Sequence, residues 1–281
     1  MNHPRSGFAA PPQAGDPSGP AKPDPRRLLE EADLERRFDG VRRLYGDAAY
    51  ARIRAARVAI VGVGGVGSWA AEALARSGVA ALTLIDLDHV AESNINRQVQ
   101  AVGATLGQAK VQALRERIAD IHPGCIVTGI EEFVDEANWP ALLPQPVDVV
   151  IDACDQVRAK AAIAAWALQA RMPLVIAGAA GGKRKPQAIE VDDLARTTHD
   201  PLLASLRQRL RKLHGAARTG AIGLRCVFSR ESVTMPIGAG AACDVVDSNL
   251  NCHGYGSSAA VTGGFGLTCA AVALEFVSAQ K

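Results

Sequence analysis

The stretch Val58-Ala59-Ile60-Val61-Gly62-Val63-Gly64-Gly65-Val66-Gly67-Ser68-Trp69 decides the fold. A β-branched apolar run ends in a glycine-rich turn, and a helical pattern of alanines and leucines follows at once. Glycines let the backbone come close to a phosphate, and the free amides that open the next helix point at it. Gly62, Gly64 and Gly67 satisfy G-x-G-x-x-G, Gly65 adds a fourth glycine to the turn, and Asp86 follows at the distance of a nucleotide fingerprint. Alone, this pattern says nucleotide, and its commonest owner is an NAD-dependent dehydrogenase.

Outward from that turn, strands and helices alternate. Residues 36–56 read as helical, with Phe38, Val41 and Leu44 on one side. Strands are expected at 57–62, 81–85, 126–130, 147–151 and 173–177, and helices at 65–77, 108–121 and 157–171. This predicts an α/β fold: a Rossmann-like, doubly wound, mostly parallel sheet with an N-terminal helical segment and a C-terminal α+β extension. After Gly181 the alternation fades into a strand at 187–191, a helix at 201–213 and a short strand at 226–228. One domain, 27–281, is expected, with a nucleotide-binding core at about 57–180 and a substrate extension at about 181–281. Residues 1–26 are rich in Pro, Gly, Ala and Ser and read as a disordered tail.

Composition sets outer bounds. Of 281 residues, 48% are apolar and 21% charged, the balance of an ordinary soluble protein. Net charge is only +2, so nucleic-acid affinity has to come from a local patch. The six cysteines, 125, 154, 226, 243, 252 and 269, form no C-x-x-C. With no signal peptide, this favours reduced thiols in the cytoplasm and argues against a four-cysteine zinc site. Gly254 to Val277 carries no charge except Glu275 and is long enough to raise the question of a membrane span. Its many small residues, and the interruption at Gly263-Gly264-Phe265-Gly266, favour a buried core or dimer-interface helix instead.

The residues after Asp86 change the chemistry. Asn94-Ile95-Asn96-Arg97-Gln98 comes first, then Lys110, then Asp152-Ala153-Cys154-Asp155. A dehydrogenase holds its diphosphate mainly with glycines and a helix terminus. ATP chemistry also uses cations for the extra phosphate charge, here Arg97 and Lys110, and a carboxylate for Mg²⁺, here Asp155. Each has a plainer alternative. Asp86 can simply end a strand, Lys110 can be a solvated helix residue and Asn94 can cap a turn. Asp152 is ranked below Asp155 as a loop-orienting group, and Trp69 is read as packing.

At these residues the chain resembles the ThiF/MoeB superfamily, the bacterial relatives of ubiquitin-activating enzymes. Gly62, Gly64, Gly65, Gly67, Asp86, Asn94, Arg97, Gln98, Lys110 and Asp155 fall on that superfamily's nucleotide motif, which implies attack of a carboxylate on the ATP α-phosphorus. Members that activate sulfur carriers have paired zinc cysteines late in the chain, absent here. Over about residues 33–278 the chain is instead similar to the tRNA threonylcarbamoyladenosine dehydratase branch. That similarity rests on Arg37-Phe38-Asp39-Gly40, Leu44-Tyr45-Gly46, the segment from Gly65 to Arg76 and Gly178-Ala179-Ala180-Gly181-Gly182. It continues through Asp193 to Thr197, Asp200-Pro201-Leu202 and Cys226-Val227-Phe228-Ser229.

The resemblance implies ATP and Mg²⁺, with a monovalent cation as a further candidate. It also implies a tRNA substrate, a homodimer and cysteine-desulfurase sulfur-transfer partners. A sulfur-carrier activator and an NAD-binding module are the alternatives. Where some relatives place an arginine that reaches the partner's ATP site, this chain has Gly40; Arg37, Arg42 and Arg43 are the candidates to replace it. A tRNA partner would leave an electrostatic footprint. Residues 201–230 contain no Asp or Glu but seven cations, among them Arg207, Arg211 and Lys212, and Lys183, Arg184 and Lys185 form a second cluster. A solvated helix face is the plainer alternative. Cys252 is the candidate thiol, with a structural or ion-site role equally open, and the role of Cys243 is open too.

Overall fold

The computed structural model describes residues 32–234 and 255–279. The expected tail at 1–26, and Cys243 and Cys252, lie outside the described residues. Two N-terminal helices, α1 (Leu34–Tyr45) and α2 (Asp47–Ala55), stand where one helical run was expected. Gly46 parts them with φ +77°, a left-handed turn that a side chain would strain.

The sheet follows in alternation: β1 (Arg57–Val61), α3 (Gly67–Arg76), β2 (Ala81–Ile85), α4 (Lys110–Ile121), β3 (Ile126–Ile130), β4 (Val149–Asp152), α5 (Val157–Ala170) and β5 (Leu174–Ala177). Then come β6 (Ile189–Asp193), α6 (Pro201–Leu213), β7 (Arg225–Ser229) and α7 (Ala259–Ala279). The seven strands are ordered β3-β2-β1-β4-β5-β7-β6, all pairs parallel except β6 with β7. The extension thus adds two strands to the same sheet. Strand order reverses at β1, with β2 on one side and β4 on the other, and in such sheets the ligand cleft opens beyond that reversal.

Both faces of the sheet are covered, so its central strands read as continuous apolar runs. Along β1, Val58 and Ile60 enter one core with Ile53, Leu74, Leu114 and Phe265. Ala59 and Val61 enter the other with Ile163, Leu203 and Leu206. Each fully buried aliphatic or aromatic side chain contributes about 1.5–3 kcal/mol over its exposed state.

Helix α7 is long and apolar enough to cross a membrane, with a mean hydropathy of 1.6. It is instead a core helix, with Val261, Phe265, Cys269, Ala273 and Val277 buried. Its glycines do not interrupt it. A Cβ on Gly266 would lie 2.4 Å from the Val66 carbonyl oxygen and 2.9 Å from the Ala70 amide nitrogen, so the glycine lets α7 cross α3 almost backbone to backbone. That packing outweighs the roughly 1 kcal/mol of helix propensity each glycine gives up.

Candidate active site

At the C-terminal end of β1 the chain turns at Gly62, φ +81°, directly beneath Ala153 and Cys154. A Cβ on Gly67 would sit 1.9 Å from the Gly62 carbonyl oxygen, so no other residue closes this turn. Asp86, leaving β2, braces it from below. One carboxylate oxygen accepts the Val63 amide at 2.8 Å, and the other accepts the Asp88 amide at 2.9 Å. Burial raises its pKa above the ordinary aspartate value, held in check by Lys110 and by those two amides. Asp86 therefore does more than end a strand.

Between β2 and α4 the segment carrying Asn94 and Arg97 folds over the glycine turn. The Asn94 side chain accepts the Ala91 amide at 3.0 Å, so it does cap its turn, and it also lines the cleft. Arg97 is half-buried and donates to the Ser93 carbonyl and, at 3.1 Å, to Asn96 Oδ1. Its own carbonyl accepts the Trp69 indole N–H at 3.0 Å and the Thr262 hydroxyl at 3.2 Å. Trp69 is thus more than packing: with the start of α7 it clamps the arginine loop. Gln98 is buried and accepts from Gln100 at 3.2 Å, while Gln100 also donates to the Val63 carbonyl at 3.0 Å. The Oε1 of Gln100 is buried with no partner among the described residues.

Lys110 opens α4, yet it is only 6% exposed, which removes the solvated-helix reading. Its ammonium lies 2.6 Å from Asp88 and 3.9 Å from Asp86. Beyond β4, Asp152 and Lys160 form a fully buried ion pair at 3.1 Å. Burial works against the lysine charge, but Asp152 beside it raises the lysine pKa above its ordinary value. Lys160 also donates to the carbonyls of Asp152, at 3.3 Å, and Ala177, at 2.9 Å. Asp152 Oδ1 accepts the Cys154 amide at 3.2 Å. Asp152 is thereby committed to shaping the loop, while Asp155, three residues on, is exposed in the cleft with no partner among the described residues.

These groups share one cleft of about 410 Å³, lined by Gly62, Gly64, Gly65, Asp86, Asn94, Arg97, Gln98, Lys110 and Asp155. Gly67 stands behind the turn. Sequence reasoning missed Asp88, Glu132, Phe133, Val134, Cys154 and Leu202, which also face it. Phe133, 53% exposed, offers an aromatic face to a flat ring. Its position just after β3, at the ligand edge of the sheet, was the available signal. Burial pushes the Cys154 thiol well above its ordinary pKa, and the nearby Asp152 adds to this, so it stays a thiol.

The basic residues divide. Arg211, Lys212 and Arg218 join Arg207 around a surface groove of about 460 Å³ on α6. Arg207 spends its guanidinium inward, on the carbonyls of Leu194 at 2.9 Å and Thr197 at 3.1 Å. Lys183 is 3% exposed and donates to the carbonyls of His199, Ser229 and Glu231. The expectations of phosphate contacts from Lys183 and Arg207 are therefore corrected: their charges are spent on carbonyl oxygens inside the fold. Arg184 and Lys185 are exposed, with Glu231 bonded to both their amides. Arg37 donates to the carbonyls ending α4, Arg42 pairs with Asp47, and Arg43 pairs with Asp39.

Residues 38–281 match the model of the ThiF family. The chain is 42% identical over 252 residues to a tRNA threonylcarbamoyladenosine dehydratase of Escherichia coli (strain K12), covering 87% of this chain and 94% of that protein. It is 38% identical over 237 residues to the protein of that name from Haemophilus influenzae, covering 83% and 90%. The crystal structure of the E. coli dehydratase in complex with ATP matches with a TM-score of 0.79 at 41% identity, over 88% of this chain and 96% of that one. Its complex with AMP matches with the same TM-score and identity.

Proposed function

The chain belongs to the ThiF family, and we propose that it dehydrates N6-threonylcarbamoyladenosine beside the anticodon of tRNA, using ATP. The observation that carries this reading is one cleft that joins the glycine turn to Arg97, Lys110 and an exposed Asp155. NAD binding has no use for that set. Relatives named for this reaction cover nearly the whole chain.

The threonyl carboxylate attacks the α-phosphorus and expels pyrophosphate. A nitrogen of the same modification then attacks the acyl-adenylate carbonyl and expels AMP, closing a ring with net loss of water. Because the second step is intramolecular, the protein has mainly to hold the groups in place and to offset developing charge. Asp86 supports the glycine turn and faces the ribose hydroxyls. Arg97 and Lys110 oppose the phosphate charge, and Asn94 and Gln98 line the same wall. Phe133 gives the adenine a stacking surface.

Asp155 would hold Mg²⁺, which when bound supplies charge neutralisation at the phosphates. No cluster of three His, Cys, Asp or Glu exists among the described residues, so the ion would take its other oxygens from phosphate and water, a common mode for Mg²⁺. The tRNA contacts assigned are Arg211, Lys212 and Arg218 in the α6 groove, with Arg184 and Lys185. A homodimer is supported by exposed Leu44 on α1 and Leu267 on α7, at 78% and 52% exposure. The choice among Arg37, Arg42 and Arg43 as the arginine crossing that interface, the monovalent cation, the sulfur-transfer partner and the role of Cys252 rest on the resemblance alone. A tRNA substrate supports cytoplasmic residence.

The test is product release. Purified protein with Mg²⁺-ATP should form AMP and pyrophosphate only when tRNA carrying the modified adenosine is added. Release driven by a carrier protein with a Gly-Gly tail would favour the sulfur-carrier alternative. Tight NAD binding without ATP binding would move the chain to the dehydrogenases.

A further inference from the structure

Two motifs that the nucleotide chemistry leaves unused, Gly178 to Gly182 and Asp200-Pro201-Leu202, meet in the fold. Asp200 is 5% exposed. One carboxylate oxygen accepts the Leu203 amide at 3.0 Å and caps α6; the other accepts the Ala179 amide at 2.8 Å. A Cβ on Gly178 would lie 2.1 Å from that second oxygen, so the bare glycine is what admits the carboxylate. A helix cap needs one oxygen and works at a surface. This one is buried and spends its second oxygen on a different segment.

That segment is a wall of the cleft: Gly178, Ala179 and Ala180 line it, as does Leu202 from the first turn of α6. The joint is held from a second direction. His199, just before Asp200, sits at φ +58°, a conformation a side-chain-bearing residue keeps only when its surroundings impose it. The buried Lys183 ammonium donates to its carbonyl at 3.0 Å. From this joint α6 runs out to the groove of Arg207, Arg211, Lys212 and Arg218.

We propose that Asp200 is a positioning residue: it fixes the cleft wall to the helix on which tRNA phosphates dock, so that the bound tRNA and the bound ATP share one frame. This rests on the function and the α6 tRNA seat proposed above. Asp200 itself lines neither the cleft nor the α6 groove. Its effect is on the distance between them, and misplacement of reacting groups by about 1 Å costs on the order of a hundredfold in rate.

Asp200→Asn separates the two oxygens. Asparagine is as good a cap as aspartate, so one oxygen still serves Leu203, but the amide nitrogen cannot accept the Ala179 N–H. The expected result is a fall of roughly 10- to 100-fold in kcat for cyclisation. The KM for ATP and the tRNA Kd should stay close to those of the unmutated protein, while the melting temperature falls modestly because the buried Ala179 N–H loses its acceptor. Asp200→Ser, whose single hydroxyl can still cap α6 but leaves no second acceptor for the Ala179 N–H, should give the same split and decides the matter if Asp200→Asn does not fold. An unchanged kcat in the folded variant would overturn the assignment. So would a loss shared between kcat, ATP KM and tRNA Kd, the pattern of a merely structural carboxylate. If the unmutated protein binds tRNA and ATP but never cyclises the threonylcarbamoyl group, the function itself falls, and this assignment with it.

Discussion

The two halves of the sheet treat their charges in opposite ways. Around β1, β2 and β4, Arg97, Lys110 and Asp155 face a common cleft, and the groups that support them are uncharged or already committed: backbone amides, Trp69, the Asp152–Lys160 pair. Past β5 the chain carries a denser run of cations, yet Lys183 and Arg207 turn inward to carbonyl oxygens. A count of positive residues therefore overstates the surface that nucleic acid can use. What separates the halves is where the hydrogen-bond partners lie. In the first half the side chains of Asn94, Arg97 and Asp152 find partners within four residues, and longer reaches such as Trp69 to Arg97 brace the same turn. In the second they come from segments 10–48 residues away in sequence.

The largest effect expected is on the nucleotide half. Arg97→Ala or Lys110→Ala should lower turnover by about 100- to 1000-fold, the scale for removing a group that stabilises transition-state charge. tRNA affinity, measured by filter binding, should hardly move. For Lys110→Ala the ATP affinity should fall as well, because Asp86 and Asp88 are left facing the phosphates without their shared cation. Loss of tRNA binding in Arg97→Ala would erase the distinction between the halves.

Lys160→Met addresses the support beneath Asp155. Removing one partner of a fully buried pair strands the other charge and should cost about 3–5 kcal/mol, seen as a lowered denaturant midpoint. A variant as stable as the parent would mean that Asp152 readily takes up a proton or water, and that the loop does not depend on the pair.

On the basic half, reversing the charges of Arg211, Lys212 and Arg218 should weaken tRNA binding. The log–log salt slope should shrink by roughly 0.7 to 0.9 for each phosphate that the protein no longer neutralises. ATP titration should be unaltered. Reversal of Arg207 should instead destabilise the protein, because its partners are internal carbonyls. If all four behave alike, inward and outward cations are not distinct classes here.

A smaller effect concerns pH. His122, 1% exposed, is held down to about pKa 4, first by burial and then by Arg54, whose guanidinium donates to its Nε2 at 2.9 Å. The folded state thus binds this proton less readily than the unfolded chain, whose histidine titrates near 6.5. The contribution to stability is whole above pH 6.5 and is lost as pH falls from there toward 4. Urea midpoints of the parent and His122→Gln should converge across that window; parallel curves would show that His122 is not the group responsible.

The legibility of the chain follows the same division. The strand-turn-helix at 58–69 was readable because a tight turn beside a phosphate constrains residue type position by position, and Asp86 and Lys110 lie at spacings the topology sets. The unbroken α7 was not readable. Gly266 weakens a helix locally, and only the surface of α3, nearly 200 residues earlier, explains why it is there. The inward turn of Lys183 was hidden for the same reason, since its three carbonyl partners belong to residues 199, 229 and 231. Phe133 had a positional signal, the end of a parallel strand, but no motif.

The most direct test of the central claim is the mass of one nucleoside. tRNA carrying N6-threonylcarbamoyladenosine is incubated with the protein and Mg²⁺-ATP, then digested gently and analysed by mass spectrometry. The account predicts a nucleoside lighter by one water, formed only with ATP and matched mole for mole by AMP. A nucleoside of unchanged mass, with ATP consumed or untouched, would contradict it.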